Sequence, residues 1–129
     1  MASRRDGDDR SEGGRPAEVL DVRRLLERYQ GDRGMVEELY QALREDGPVK
    51  MERIRSARDN SDLEALGRVA HSLKSVAGAV FAPKATHLAA ELQSAALAGD
   101  EERAWRLANE LEAAMVEVLD ELHRTDRGV

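Results

Sequence analysis

From Pro16 onward, apolar residues recur three and four positions apart, the pattern of helices that each bury one side. A first, short helix is predicted over Ala17 to Gln30, with Leu20, Leu25, Leu26 and Tyr29 on one side and Gly31 ending it. A second begins near Asp32 and carries Met35, Val36, Leu39, Tyr40 and Leu43. Asp46-Gly47-Pro48 is expected to kink or interrupt it before Val49, Met51 and Ile54 resume, because proline lacks an amide proton and crowds the preceding turn. Asn60-Ser61 closes this segment, and Ser61 with Glu64 has the spacing of a capping box for the next. That third helix runs to about Val80. Pro83 suits the first turn of a fourth, which holds Leu88 and Leu92 and stops at Gly99. Asp100 caps the last helix, with Glu101 and Glu102 at the positive end of its dipole. Ala104, Leu107, Ala108, Leu111, Met115, Val118 and Leu122 form its apolar stripe.

Four long helices joined by short connections imply an all-α fold: an antiparallel four-helix bundle with a short additional N-terminal helix, spanning residues 17–125. Composition agrees, since Ala, Leu, Glu and Arg dominate and β-branched residues are few. Residues 1–16 carry four arginines, three aspartates, one glutamate and three glycines with almost no apolar side chain, and are expected to form a disordered charged tail. Residues 126–129 are expected to fray.

Charge and composition narrow the function. The 129 residues carry 20 Lys+Arg against 26 Asp+Glu, a net charge of -6, which disfavours binding to nucleic acid. No apolar run approaches the ~20 residues that span a bilayer, and no secretory leader pattern is present, so no membrane association and a cytoplasmic location are expected. With no cysteine there is no disulfide, no thiolate chemistry and no cysteine-ligated zinc. The bundle looks self-sufficient, which predicts a monomer.

The third helix carries the candidate chemistry. At roughly 100° per residue, Leu63, Leu66, Val69, Ala70, Leu73, Val76, Ala77 and Val80 fall on one broad face that the bundle must bury. His71 points about 160° from its centre. Gly67 and Gly78 are expected on the same outward side, with Ser75 beside them and Lys74 on the flank one turn away. Each glycine costs ~1 kcal/mol relative to alanine in a helix, and bare backbone at an exposed face would let another protein approach the imidazole. At pH 7 an exposed imidazole, with an ordinary pKa of ~6.5, is mostly neutral and keeps a nucleophilic nitrogen. Such a ring, with small neighbours and one ammonium, suits accepting a phosphoryl group. In a water-like dielectric Lys74 would add only ~1 kcal/mol of attraction, so it assists while His71 is indispensable.

The run Ala70-His71-Ser72-Leu73-Lys74-Ser75-Val76-Ala77-Gly78-Ala79-Val80-Phe81 resembles the central motif of the histidine-containing phosphotransfer (HPt) domains of bacterial multistep phosphorelays. The approach Asn60-Ser61-Asp62-Leu63-Glu64-Ala65-Leu66 and the acidic, leucine-rich helix before it extend the likeness over nearly all of residues 17–125. The resemblance implies that His71 is the phosphorylated histidine, Lys74 the phosphate-proximal lysine, and Gly78 a small residue that leaves room for the partner; Gly67, Arg68, Ser75 and Gly78 are expected to form the face on which a receiver docks. It further implies response-regulator receiver domains and a hybrid sensor histidine kinase as partners. The receiver would contribute Mg²⁺, and this chain would bind no cofactor or metal of its own. Two positions depart from the family pattern. Ser75 stands where the family has a glycine after the lysine, and Phe81 where it has one near the helix end.

No glycine-rich phosphate loop occurs, so the chain is expected to be a phosphohistidine carrier without ATP-dependent kinase activity. His87 reads as a surface or bundle-edge residue and Trp105 as a packing residue. Asp120 and His123 sit at i and i+3 on the last helix, but no Glu-x-x-His pair of a di-metal bundle accompanies them. The competing reading is a helical interaction module that binds and inhibits a receiver or histidine kinase without itself being phosphorylated.

Overall fold

The computed structural model describes residues 19–127. The charged segment 1–16 lies outside the described residues, as do residues 17, 18, 128 and 129. Five helices follow one another: α1 (Val22–Arg28), α2 (Arg33–Asp59), α3 (Leu63–Ala79), α4 (Pro83–Ala98) and α5 (Glu101–Arg127). α2 packs against α3 and α5, α3 against α4, and α4 against α5, so the four long helices close a ring. Leu43, Ile54, Leu66, Leu73, Leu92, Leu111, Met115 and Leu122 fill its interior. α1 lies across one end, against α2 and the α3–α4 turn.

α1 starts later than the apolar pattern suggests. Asp21 accepts a hydrogen bond from the Arg24 amide at 3.1 Å, fixing the first turn at Val22 rather than Ala17. The amide of Asp21 itself donates out of the helix to the Phe81 carbonyl at 2.8 Å, which ties α1 to the bundle.

The connections share one geometry. Gln30, Ser61, Phe81 and Gly99 each have φ between 51° and 73°, the left-handed residue that ends a helix. In each case the next amide reaches back across the turn: Gly31 to Leu26, Asp62 to Ala57, Ala82 to Ala77, and Asp100 to Ala95, at 2.7–3.0 Å. This corrects the capping box. Ser61 is used to end α2, so the cap of α3 passes to Asp62, whose carboxylate accepts from the Ala65 amide at 3.0 Å. Asp32 and Asp100 cap α2 and α5 in the same way, and Pro83 opens α4.

The expected interruption at Asp46-Gly47-Pro48 does not occur; α2 is continuous from Arg33 to Asp59. A proline inside a helix costs ~3 kcal/mol, so packing must hold the two halves together as one helix. Leu43 and Gly47 before it and Lys50, Met51 and Ile54 after it are all buried, while Pro48 faces solvent. A Cβ on Gly47 would stand 3.2 Å from Leu119 Cδ2, so the glycine admits α5 close to the α2 backbone. Lys50 bonds to Asp46 at 2.8 Å across the proline.

Candidate functional site

The apolar face of α3 is buried as its periodicity requires. Leu66, Val69, Ala70, Leu73, Ala77 and Val80 are buried, and Leu63 and Val76 are half-buried against the same core. That packing fixes the rotation of α3 about its axis and turns His71 outward, where it is exposed. Lys74 and Ser75 are exposed beyond it, and Lys74 makes no ion pair among the described residues.

His71 is exposed but held. The side-chain amide nitrogen of Gln93, on α4, donates to the imidazole Nδ1 at 3.0 Å. This bond orients the ring along the seam between α3 and α4 and engages Nδ1, so that Nε2 is the ring nitrogen with no hydrogen-bond partner among the described residues. Gln93 has no motif to mark it. It sits between buried Leu92 and exposed Ser94 in an Ala- and Leu-rich helix, and its significance comes only from the facing of two helices.

Beside the imidazole, Leu63, Gly67, Arg68, Gln93, Ala96 and Leu97 line an open, mainly apolar groove of about 730 Å³. Leu97 is 83% exposed, the most exposed large apolar side chain among the described residues. Such a groove next to a reactive ring is a ready contact for a protein partner.

Gly67 corrects the sequence reading. It does not point outward; a Cβ there would stand 3.2 Å from Ala96 Cβ, so the glycine lets α3 and α4 pack closely beneath the groove. Gly78 is half-buried, and a Cβ on it would meet only Thr86 Cγ2, at an ordinary 3.8 Å. The expected docking residues therefore separate. Gly67 and Arg68 share the groove of His71, Gly78 lines a depression with Asp21, Arg24, Phe81, Thr86 and His87, and Lys74 and Ser75 line neither.

Phe81 takes the left-handed conformation, φ 55°, in which glycine is the residue with least strain. Its ring is half-buried against the core, and the Arg24 and Arg28 guanidinium groups stand 5.1 Å and 6.0 Å from the ring centroid. The remaining histidines are engaged elsewhere. His87 pairs with Glu91 at 3.0 Å, and His123 Nδ1 bonds to the Leu119 carbonyl at 2.8 Å. Among the described residues no three His, Asp or Glu side chains gather as a metal site. Trp105 is half-buried and packs on the core.

A family model, the Hpt domain, matches residues 38–124. The chain belongs to the Hpt domain family. Its role is accordingly that of a phosphotransfer intermediate in a phosphorelay. The crystal structure of histidine-containing phosphotransfer protein B (HptB) from Pseudomonas aeruginosa PAO1 superposes with a TM-score of 0.78 at 22% identity, covering 88% of this chain and 98% of that one. At this identity the likeness bears on the fold, and it supports the helical bundle of an Hpt domain. No curated protein sequence matches the chain. No helix among the described residues of this Hpt domain is long and apolar enough to cross a membrane.

Proposed function

We propose that His71 is the phosphoryl carrier of this Hpt domain, taking the group from an aspartyl phosphate on a receiver domain and passing it to a second receiver. The observation that carries this reading is the pairing of exposure with fixation. Within the motif helix, His71 is the only imidazole, stands clear of the bundle, and has one nitrogen held by Gln93.

In the forward step Nε2 attacks phosphorus in line with the aspartyl oxygen. The new N–P bond forms as the P–O bond to the aspartate breaks, and the carboxylate leaves with its electron pair. Attack needs the lone pair on Nε2 and the proton on Nδ1. With the Gln93 amide nitrogen donating to Nδ1, the proton sits on Nε2; half a turn of the amide presents Oε1 instead, which accepts from Nδ1–H and frees Nε2. The phosphorylated ring then keeps its Nδ1 proton against Gln93, and reversal returns the phosphoryl group to a carboxylate. Lys74, one turn along α3, lowers the charge cost as the phosphoryl oxygens approach. Mg²⁺ belongs to the receiver, where it offsets charge on the phosphoryl group, and this chain serves as carrier without using ATP. Receivers and a hybrid histidine kinase are the partners of this reading, acting on the chain as a cytoplasmic monomer.

Incubation with a receiver phosphorylated by radiolabelled acetyl phosphate tests it. Acid-labile, base-stable label should reach wild type and not His71→Ala, and Lys74→Ala should slow transfer without abolishing it. Measurable binding of the receiver with label on neither protein would instead favour an inhibitory module that is not itself phosphorylated.

A further inference from the structure

We infer that Arg24 and Arg28, held over the Phe81 ring, form a cationic second contact that steers an acidic face of the phosphate-donating receiver on to His71; this rests on the carrier reading above. The seam between α3 and α4 carries His71 near its middle. Seven residues further along α3, roughly 10 Å by helical rise, Gly78 lies on nearly the same side. There the seam opens into the depression lined by Asp21, Arg24, Gly78, Phe81, Thr86 and His87. The opposite end is the apolar groove of Leu63, Ala96 and Leu97. One strip thus has an apolar end, a central imidazole and a basic end.

Charge is distributed to match. α1 holds three arginines against Glu27 and the capping Asp21, a small positive excess, whereas α5 holds eight acidic and four basic residues. The overall charge of -6 would repel an acidic partner from most approaches and leave the α1 end as the favourable one. Arg24 and Arg28 make no ion pair among the described residues, and both stand over Phe81. A donor that holds Mg²⁺ at an aspartyl phosphate gathers carboxylates around it, so its phosphate-bearing face is acidic, and over His71 that face lies within one Debye length, ~10 Å, of the basic end. Phe81 acts as a positioning residue through two links. Its carbonyl accepts from the Asp21 amide at 2.8 Å, and its ring seats Arg24.

The test measures transfer from receivers of the same genome, phosphorylated with radiolabelled acetyl phosphate, to wild type and to Arg24→Glu/Arg28→Glu. At low ionic strength the double variant should lose at least tenfold in second-order rate, keep its rate at saturating receiver, and approach wild type in 0.5 M salt, where screening removes steering. Phe81→Leu should show a smaller loss of the same kind and Phe81→Tyr should restore the wild-type rate, with circular dichroism verifying the fold of each. Label on wild type with equal rates and equal salt dependence in the double variant overturns the cationic contact alone. No label on wild type from any receiver overturns the carrier reading and this contact with it. A concentration-dependent dimer that the arginine substitutions abolish would assign the strip to a second copy of the chain, and also overturns it.

Discussion

Gln93 on α4 meets the Nδ1 of His71 on α3 at 3.0 Å, so the candidate nucleophile is exposed yet fixed by a neighbouring helix. A net hydrogen bond of this kind contributes about 0.5–1.5 kcal/mol, and its role here is to select the nitrogen and aim the ring. Gln93→Ala should therefore slow transfer to His71 by about tenfold, equivalent to ~1.4 kcal/mol of barrier, with little change in thermal midpoint. Single-turnover kinetics at saturating receiver checks it. An unchanged rate would mean that the hydrogen bond does not align the ring.

The two glycines of α3 should respond in opposite directions. At Gly78 a new Cβ has room, so Gly78→Ala gains helix propensity and should stabilise by about 0.5–1 kcal/mol in urea unfolding. Gly67→Leu must push α4 away at Ala96 and should destabilise by about 1–3 kcal/mol. Equal effects at the two sites would contradict the close α3–α4 approach. Gly78→Leu, by contrast, should leave helicity intact and slow transfer by obstructing the strip.

Phe81 allows a reversal of the usual order of small residues. Left-handed backbone costs a non-glycine residue about 1–2 kcal/mol, and here it is offset by the ring's packing on the core and on α1. Removing the ring while keeping the strain should be worse than removing both. Phe81→Ala should thus be less stable than Phe81→Gly by ~1 kcal/mol, measured by chemical denaturation. In both, amide exchange should rise in α1 before it rises in α3.

Much of this architecture is legible in the order of residues. Three of the four inter-helix turns are marked by Gly31-Asp32, Asn60-Ser61-Asp62 and Gly99-Asp100, and the rotation of α3 follows from Leu66, Val69, Ala70 and Leu73 alone. What failed to read true depends on neighbours far along the chain. Pro48 stays within a helix because buried residues on both sides of it lock α2 to the bundle, overriding local propensity. Gly67 reads as a bare outward residue on an isolated helix but proves to be a contact once α4 is in place, with Ala96 Cβ only 3.2 Å from where a Cβ on Gly67 would stand. Gln93 is invisible for the same reason: its partner is 22 residues earlier, and only the helix pairing joins them.

Tyr40 gives a handle on pH. Its side chain is buried, and its hydroxyl has no hydrogen-bond partner among the described residues. Burial, with Glu37 and Glu121 adding to it, raises its pKa above the ordinary 10.0. The folded state thus holds the proton more tightly than the unfolded chain. The resulting contribution is complete below pH 10 and is lost as pH rises through the folded-state value. Tyr40→Phe should be about 1 kcal/mol more stable near neutrality, because an unpaired hydroxyl is no longer buried, and should lose less stability between pH 9 and 11. Parallel thermal melts of the two proteins across that range check both parts.

The phosphoryl group's attachment atom can be read directly by nitrogen NMR of protein labelled in its imidazole rings, before and after transfer from a phosphorylated receiver. The expected result is a nitrogen–phosphorus coupling at Nε2 of His71, with Nδ1 still protonated and the signals of His87 and His123 unmoved. Stoichiometric label on the protein with the His71 ring unchanged would contradict the assignment of His71 as the carrier.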